Sequence, residues 1–229
     1  MEISRIFAEY RDEIFAAFWV TIKLTAYAGV GALVLGTVLA AMRLSPVPMM
    51  RWVGAGYVTI VRNTPLTLIL LFCSFGLAQT IGITLADPRS PTSLIDSNFR
   101  LAVLGLGVYT AAFVCESVRS GVNTIPIGQA EAARSLGLTF SQNLRMIMLP
   151  QAFRSVIAPL GSVLIALTKN TTIASAIGVA EAALLMKEMI ENTAALISVG
   201  TIIASGFVVL TLPMGLLFTY LGRRLAVRR

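Results

Sequence analysis

Five long apolar runs constrain the fold of this chain more than any other feature of its sequence. They cover roughly residues 14–41, 65–85, 99–118, 152–172 and 196–221. Each reaches or exceeds the length of about 20 apolar residues that a helix needs to cross a bilayer. In lipid, a chain satisfies its backbone hydrogen bonds only as helices or closed barrels, and 56% of all residues in the chain are hydrophobic. We therefore predict an all-α membrane protein with five transmembrane helices, forming a single transmembrane domain over residues 1–229.

The distribution of lysine and arginine predicts the orientation, because cytoplasmic loops carry an excess of both residues. An odd number of spans places the two termini on opposite sides of the membrane. If the C-terminus is cytoplasmic, the inner side carries eleven basic residues, namely Arg43, Arg51, Arg62, Arg119, Arg134, Arg145, Arg154, Arg223, Arg224, Arg228 and Arg229. The outer side carries six, namely Arg5, Arg11, Arg89, Arg100, Lys169 and Lys187, with nine of the eleven acidic residues. The prediction is N-out/C-in, with the arginine pairs at 223–224 and 228–229 anchoring the last helix.

The composition argues against several other classes of protein. The chain has no histidine, no C-x-x-C and no carboxylates clustered at ligand spacing, so neither a metal site nor a Ser-His-Asp hydrolase is predicted. Cys73 and Cys115 lie inside apolar runs, where cysteine behaves as a small hydrophobic residue. The net charge of +7 comes without a basic helix or an aromatic platform, so nucleic acid is not a predicted partner.

Two polar interruptions divide the apolar runs. Pro46 and Pro48 end the first helix, and a short apolar piece at 52–61 is predicted to lie along the membrane interface before Pro65 restarts a helix. Residues 152–186 are mostly apolar, but one straight helix of that length would overshoot a bilayer core of about 30 Å. We predict that the polar residues 169–172 interrupt it and that a second, shorter helix covers 172–186.

A polar segment lies between the third and fourth spans. A short helix is predicted at 129–138, closed by Gly137 in the left-handed conformation that glycine adopts readily. A second helix is predicted at 138–149, and Pro150 is expected to break the chain where it re-enters the membrane.

The spacing in this segment resembles a known signature. The segment reads Glu131-Ala132-Ala133, then three residues, Gly137, nine residues and Ile147-x-Leu149-Pro150. It is similar to the motif of permease subunits of bacterial ABC importers. Further stretches resemble the polar amino-acid permeases, and the glutamate-uptake branch in particular. They are RNTPL at 62–66, YTAAFVCESVR at 109–119, IP-x-GQAEAA at 125–133, PQA at 150–152 and LTKNTTIA at 167–174.

The resemblance implies a type I ABC importer permease fold in a bacterial cytoplasmic membrane. A coupling loop at about 120–151 would dock on an ABC ATPase dimer, through Glu131, Ala132, Ala133, Arg134, Gly137 and Leu138. The other implied partners are a second permease chain, homologous or identical, an external substrate-binding protein and membrane lipid. The three lysines precede leucine, asparagine and glutamate, so the chain lacks the Lys-Ser/Thr pair of a phosphate-binding loop. This chain is expected to bind no cofactor, with ATP and Mg held by the ATPase.

Two groups of residues are candidates for the substrate pathway. Lys23 lies deep in the first run, where it must either snorkel outward or face protein. Residues Lys169, Asn170, Thr171 and Thr172 either line the pathway or cap the broken helix. Structural or gating candidates are Arg62, Asn63, Thr64, Glu116 and Arg119. Glu116 and Arg119 are spaced for mutual pairing, although Glu116 could instead meet a polar group of another helix.

The predicted function is import of a polar amino acid. Glutamate is favoured because the membrane-depth ionisable groups Lys23 and Lys169 come without an unpaired carboxylate; glutamine or another polar amino acid is the alternative. A rival from another class is an ion-gradient secondary transporter, which would need an inverted repeat or acidic residues at the midplane. A second rival is a membrane scaffold that transports nothing.

Overall fold

The computed structural model describes residues 2–83, 85–87 and 89–225 and is helical throughout its regular structure. The helices begin with α1 (Glu2–Glu9), α2 (Arg11–Leu44), α3 (Pro48–Asn63) and α4 (Leu66–Leu71), which widens into π-helical turns over Phe72–Thr80. They continue with α5 (Ser93–Val122), α6 (Ile127–Ser135) and α7 (Phe140–Asn143), followed by π-helical turns over Leu144–Met148. The last are α8 (Leu149–Ser155), α9 (Ile157–Asn170) with a 3-10 extension over Thr171–Ile177, α10 (Ala182–Thr193) and α11 (Leu196–Leu225).

Four of these helices are long and apolar enough to cross a membrane. They are α2, α5, α9 with its extension, and α11. The pair Pro48–Asn63 and Leu66–Thr80 adds a fifth only if it is taken as one bent span. The predicted second span at 65–85 is therefore not a single straight helix, since its helix changes to π-helical turns at Phe72 and ends at Thr80. An apolar run predicts the length of a span but not the bends within it.

The chain clusters into two compact units, and the first consists of Met1–Val30, Thr64–Gly107 and Ile165–Pro213. Its apolar core joins α1, α2, α10 and α11 through buried residues such as Ile6, Leu185 and Val199. Two polar contacts support this packing. Ser198 donates its hydroxyl to Glu2 Oε2 at 3.0 Å, and the backbone N–H of Ala182 donates to Thr21 Oγ1 at 3.4 Å.

The second unit consists of Gly31–Asn63, Val108–Leu164 and Met214–Arg229. Its core joins α2, α3, α5 and α9 through Leu39, Val58, Val114 and Leu160, all buried. Gly36 allows α2 and α5 to approach closely, because a Cβ added there would lie 2.6 Å from the Val114 side chain. Small residues at such crossings let helix backbones pack tightly.

The predicted interruption at residues 169–172 is confirmed. The α-helix ends at Asn170 and the chain continues as 3-10 helix to Ile177, where Gly178 adopts φ +77°. The second helix begins at Ala182 rather than at Thr172, so its predicted start was wrong. It starts there because Glu181 caps it by accepting the backbone N–H groups of Ala183 and Leu184 at 2.9 and 3.1 Å.

Two smaller predictions agree with the structure, and a third can be compared only in part. The interfacial piece at 52–61 lies within α3, whose Trp52 is 79% exposed. Cys73 and Cys115 are buried free thiols, as predicted. Of the arginine pairs predicted to anchor the last helix, Arg223 and Arg224 lie in the last turn of α11, and the pair at 228–229 lies outside the described residues.

Candidate functional site

A left-handed turn at Gly137 closes the first helix of the loop at about 120–151, which is the predicted coupling loop. Gly137 has φ +80°, and its N–H donates to the Arg134 carbonyl at 2.9 Å. The next N–H, that of Leu138, donates to the Ala133 carbonyl at 3.1 Å. This pair of bonds is the Schellman arrangement, which satisfies the last carbonyls of a helix. The prediction for Gly137 is confirmed, although α6 covers Ile127–Ser135 instead of 129–138.

The second helix of the loop starts at a capping box. Gln142 N–H donates to Thr139 Oγ1 at 3.3 Å, and Thr139 N–H donates to Gln142 Oε1 at 2.9 Å. The helical path then continues past the predicted end at Leu149, through the π-helical turns and α8 to Ser155. Pro150 therefore does not break the chain. It lies in the first turn of α8, where a missing N–H costs least.

Two side-chain bonds fix the helices of the loop against each other. Asn143, which is buried, donates its Nδ2 to the Ala130 carbonyl at 3.2 Å. Gln151 donates its Nε2 to Gln129 Oε1 at 2.7 Å. Ala133, which was among the residues expected to contact the ATPase, is only 2% exposed, so it packs inside the loop.

The exposed side of the loop mixes charged and large apolar residues. Glu131, Ala132 and Arg134 are exposed, as a docking surface requires. Four large apolar residues are also exposed there, with exposed fractions of 73% for Ile127, 83% for Leu136, 39% for Phe140 and 66% for Met146. Sequence reasoning missed these four. They could have been identified from the sequence, because they are large apolar residues in an otherwise polar segment between two spans, where contact with lipid does not account for their presence.

A charge cluster joins α2, α3 and α5. Glu116 Oε1 lies 3.6 Å from Arg43 Nη1, and Glu116 Oε2 accepts a hydrogen bond from Arg62 Nη1. The carboxylate therefore pairs with two other helices and not with Arg119 on its own helix, which corrects the predicted i, i+3 pair. The Arg119 Nε is buried and has no hydrogen-bond partner within the described part of the chain. The partner of Glu116 depends on which helix faces pack against each other, and residue spacing along one helix does not specify this.

The cluster borders a small polar cavity. It has a volume of about 240 Å³ and is lined by Arg43, Val58, Thr59, Arg62, Asn63 and Glu116. The Arg62 guanidinium also lies 5.4 Å from the centroid of the Phe113 ring. Asn63 donates to the Thr59 carbonyl at 2.8 Å, and Thr64 lies in the connection between α3 and α4. Of the gating candidates, Arg62, Asn63 and Glu116 are thus brought to one site.

Glu116→Gln is expected to lower the free energy of unfolding by about 1–2 kcal/mol, between typical values for exposed and buried ion pairs. The reason is that Glu116 is 33% exposed and Arg43 only 17%, so both arginines would lose a carboxylate that water replaces incompletely. Thermal unfolding in detergent measures this, with Glu188→Gln, at an exposed carboxylate, as the control. In double-mutant cycles, Glu116 should couple to Arg62 and not to Arg119; a stronger coupling to Arg119 would contradict the observed pairing.

Lys23 faces a cavity. Its ammonium lies 5.8 Å from the centroid of the Phe99 ring, and the side chain is half-buried. The cavity has a volume of about 630 Å³, and Asp96 and Arg100 also line it. Lys23 therefore lines a cavity within the protein. Of the two expectations for it, snorkelling outward or facing protein, this agrees with the second.

The other pathway candidates lie at the helix break and are not among the residues that line this cavity. Thr171 is fully buried and donates its hydroxyl to the Thr168 carbonyl at 2.8 Å. Thr172 donates to the Lys169 carbonyl at 2.8 Å. These bonds satisfy carbonyls at the end of α9, as a capping role would require. Lys169 is exposed and Asn170 half-buried.

Glu181 is a buried carboxyl that sequence reasoning did not single out. It is fully buried, and burial raises its pKa to about 7, while the N–H groups of Ala183 and Leu184 act in the opposite direction. Its position before a helix in a predicted external segment is the signal that could have identified it as a cap.

Comparison with known proteins supports a common family. Residues 32–227 match the family model described as binding-protein-dependent transport system inner membrane component. The chain is 58% identical to the glutamate transport system permease protein GluC of Corynebacterium glutamicum, over 99% of this chain and 100% of the relative. It is 33% identical to the probable glutamine ABC transporter permease protein GlnM of Bacillus subtilis, over 96% and 94%.

Solved structures agree with this family. The crystal structure of an amino acid ABC transporter with histidines matches with a TM-score of 0.80 and 28% identity, over 95% of this chain and 96% of that one. An inward-facing MetNI methionine ABC transporter matches with a TM-score of 0.74 over 93% and 96%, at 19% identity, which supports the fold alone. The predicted type I importer permease fold is confirmed. The chain belongs to the binding-protein-dependent transport system inner membrane components, as a multi-pass permease subunit of the cytoplasmic membrane whose ATPase is a separate subunit.

Proposed function

We propose that this chain is a permease subunit of an ATP-driven ABC importer that carries glutamate into the cytoplasm. The observation that carries the proposal is the full-length match to a glutamate transport permease at 58% identity. The other relative described above is named for glutamine, so the choice among polar amino acids rests on the higher identity. The cationic Lys23 in its cavity is consistent with an acidic substrate.

The family implies an ATPase and a substrate-binding protein as partners. We further propose a second permease chain beside this one, an ATPase dimer that holds ATP and Mg, and the orientation N-out/C-in. In this arrangement the loop at about 120–151 lies on the cytoplasmic side, where the ATPase can reach it. The binding protein delivers substrate on the opposite side.

The geometry of the loop supports a role in transmitting force. A coupling element must move as one body, and three features stiffen this one: the Schellman turn at Gly137, the capping box at Thr139 and the Asn143 bond. The helical path then continues to Ser155, just before α9 begins at Ile157. Closure of the ATPases would displace the loop and swing the spans, so that the substrate is released inward past Lys169 and Asn170.

The test is uptake by the reconstituted complex of this chain, its partner permease, its ATPase and its binding protein. Labelled glutamate, glutamine, aspartate and arginine are supplied separately, each with and without ATP. We expect ATP-dependent uptake of glutamate above the others. Uptake that follows an ion gradient without ATP would support a secondary transporter. ATP hydrolysis that does not respond to binding protein and amino acid would support a scaffold, and a lack of glutamate uptake would overturn the substrate assignment.

A further inference from the structure

The cavity at Lys23 is formed by two helices and one connecting segment. Lys23 and Tyr27 project from α2, and Asp96, Phe99 and Arg100 from the first two turns of α5. The short stretch at Val179 and Ala180, which precedes α10, completes the lining. All of these residues belong to the first compact unit. Its volume of about 630 Å³ is within the range of pockets that hold small molecules.

Its charges are two cations and one carboxylate. Neither of the two ion pairs recorded among the described residues uses Lys23, since both involve Glu116. A lysine at this depth in an apolar helix is costly unless it faces water or a partner. Among the described residues, its ammonium contacts the ring of Phe99, which attracts a cation but carries no net negative charge.

The other two charged groups keep bonding capacity. Arg100 donates Nη1 to the Leu85 carbonyl, and a guanidinium has five N–H donors. Asp96 Oδ2 accepts the Thr92 hydroxyl at 2.7 Å, and a carboxylate can accept about four hydrogen bonds. Each of them is therefore held in place by one local bond while it can still bind a ligand.

This set of charges is complementary to a dicarboxylic amino acid. At neutral pH such a molecule carries two carboxylates and one ammonium, and each of them finds an opposite charge here. Glutamine has only one carboxylate and would leave a cation unpaired. The Tyr27 and Phe99 rings, whose centroids are 6.2 Å apart at 90°, add aromatic surface to which a substrate ammonium is attracted.

We propose that this cavity binds a dicarboxylic amino acid during uptake, with Lys23 and Arg100 holding its two carboxylates and Asp96 its ammonium. The inference rests on the proposed function, because it assigns the recognition of that substrate to residues of this chain. It extends the predicted pathway by three residues that sequence reasoning did not select: Asp96, Phe99 and Arg100. Substrate would be selected here a second time, after release from the binding protein.

Binding to the permease–ATPase complex without binding protein tests the proposal. Labelled glutamate is displaced by unlabelled glutamate, glutamine or glutarate, which is a dicarboxylate without an ammonium. In the wild type, glutamate should bind at least about tenfold more tightly than either competitor, as expected for one lost charge-assisted contact. Lys23→Gln and Arg100→Gln should remove most of the preference over glutamine. Asp96→Asn should remove the preference over glutarate and leave that over glutamine.

Two further variants guard against misfolding and non-specific effects. Lys23→Arg keeps the charge and should retain glutamate binding. Lys187→Gln removes a lysine that bonds to Ser175 and does not line the cavity, so it should behave as wild type. Unchanged competitor ratios in Lys23→Gln, Arg100→Gln and Asp96→Asn would overturn the proposal, even while ATP-dependent glutamate uptake by the full complex still supported the proposed function. An absence of that uptake would instead overturn the proposed function.

Discussion

Leu136→Asp should separate this chain from its ATPase while leaving the permease folded. Leu136 is 83% exposed at the end of α6, so no core packing is lost when its side chain is changed. Well-packed, desolvated side chains near the centre of an interface carry most of its binding energy, and a buried unpaired charge there opposes association. We expect co-purification of the ATPase to fall at least about a hundredfold, equivalent to about 2.7 kcal/mol. Affinity purification of the tagged permease, followed by quantification of the ATPase, measures it.

The matched control is Leu196→Asp. Leu196 is also a large exposed side chain, at 64%, but it begins α11 on the predicted outer side. The same substitution there should leave ATPase binding unchanged. Thermal unfolding of both variants should stay close to wild type. If Leu136→Asp still co-purifies normally, the exposed apolar residues of the loop do not form the docking surface.

Gly137→Asp is expected to abolish ATPase association without preventing membrane insertion. Two effects act together. A residue with a Cβ is strained by up to about 1–2 kcal/mol in the left-handed conformation, and aspartate and asparagine less than others; Gly137 adopts this conformation at φ +80°. The added charge also lies next to Leu136. Steric overlap with the described residues contributes nothing, because a Cβ at Gly137 would meet none of their atoms within 4 Å. Co-purification of the ATPase and membrane localisation are the two measurements.

Other substitutions at this glycine separate the causes. Asparagine tolerates the left-handed conformation and is uncharged, so Gly137→Asn should retain most ATPase binding. Gly137→Val is uncharged but β-branched, and should lose binding through strain alone. Gly128→Ala is the control, since Gly128 is in helical conformation with open space around it. Equal binding by the valine and asparagine variants would show that the turn is not required.

Local signals explain both helix ends at the turn within the loop at 120–151. The turn at Gly137 was predicted, because a glycine that closes a helix acts within one or two turns. The cap at Thr139 was not predicted, although a threonine three residues before a glutamine is an equally local signal. The π-helical turns before Pro150 and the burial of Ala133 were not predictable in this way. Both depend on how α6 packs against the helix that follows it, which the Asn143 bond to Ala130 helps to fix.

The sequence by itself determined the helical membrane fold, the number of apolar runs, the break at residues 169–172 and the family. These follow from the length of apolar segments and from short motifs, which the chain carries wherever it folds. Only the tertiary structure decided that Glu116 meets Arg43 and Arg62 instead of Arg119, and that Lys23 shares a cavity with Asp96 and Arg100. Charges far apart in sequence meet only when helix faces pack, and spacing along one helix does not specify which faces these are.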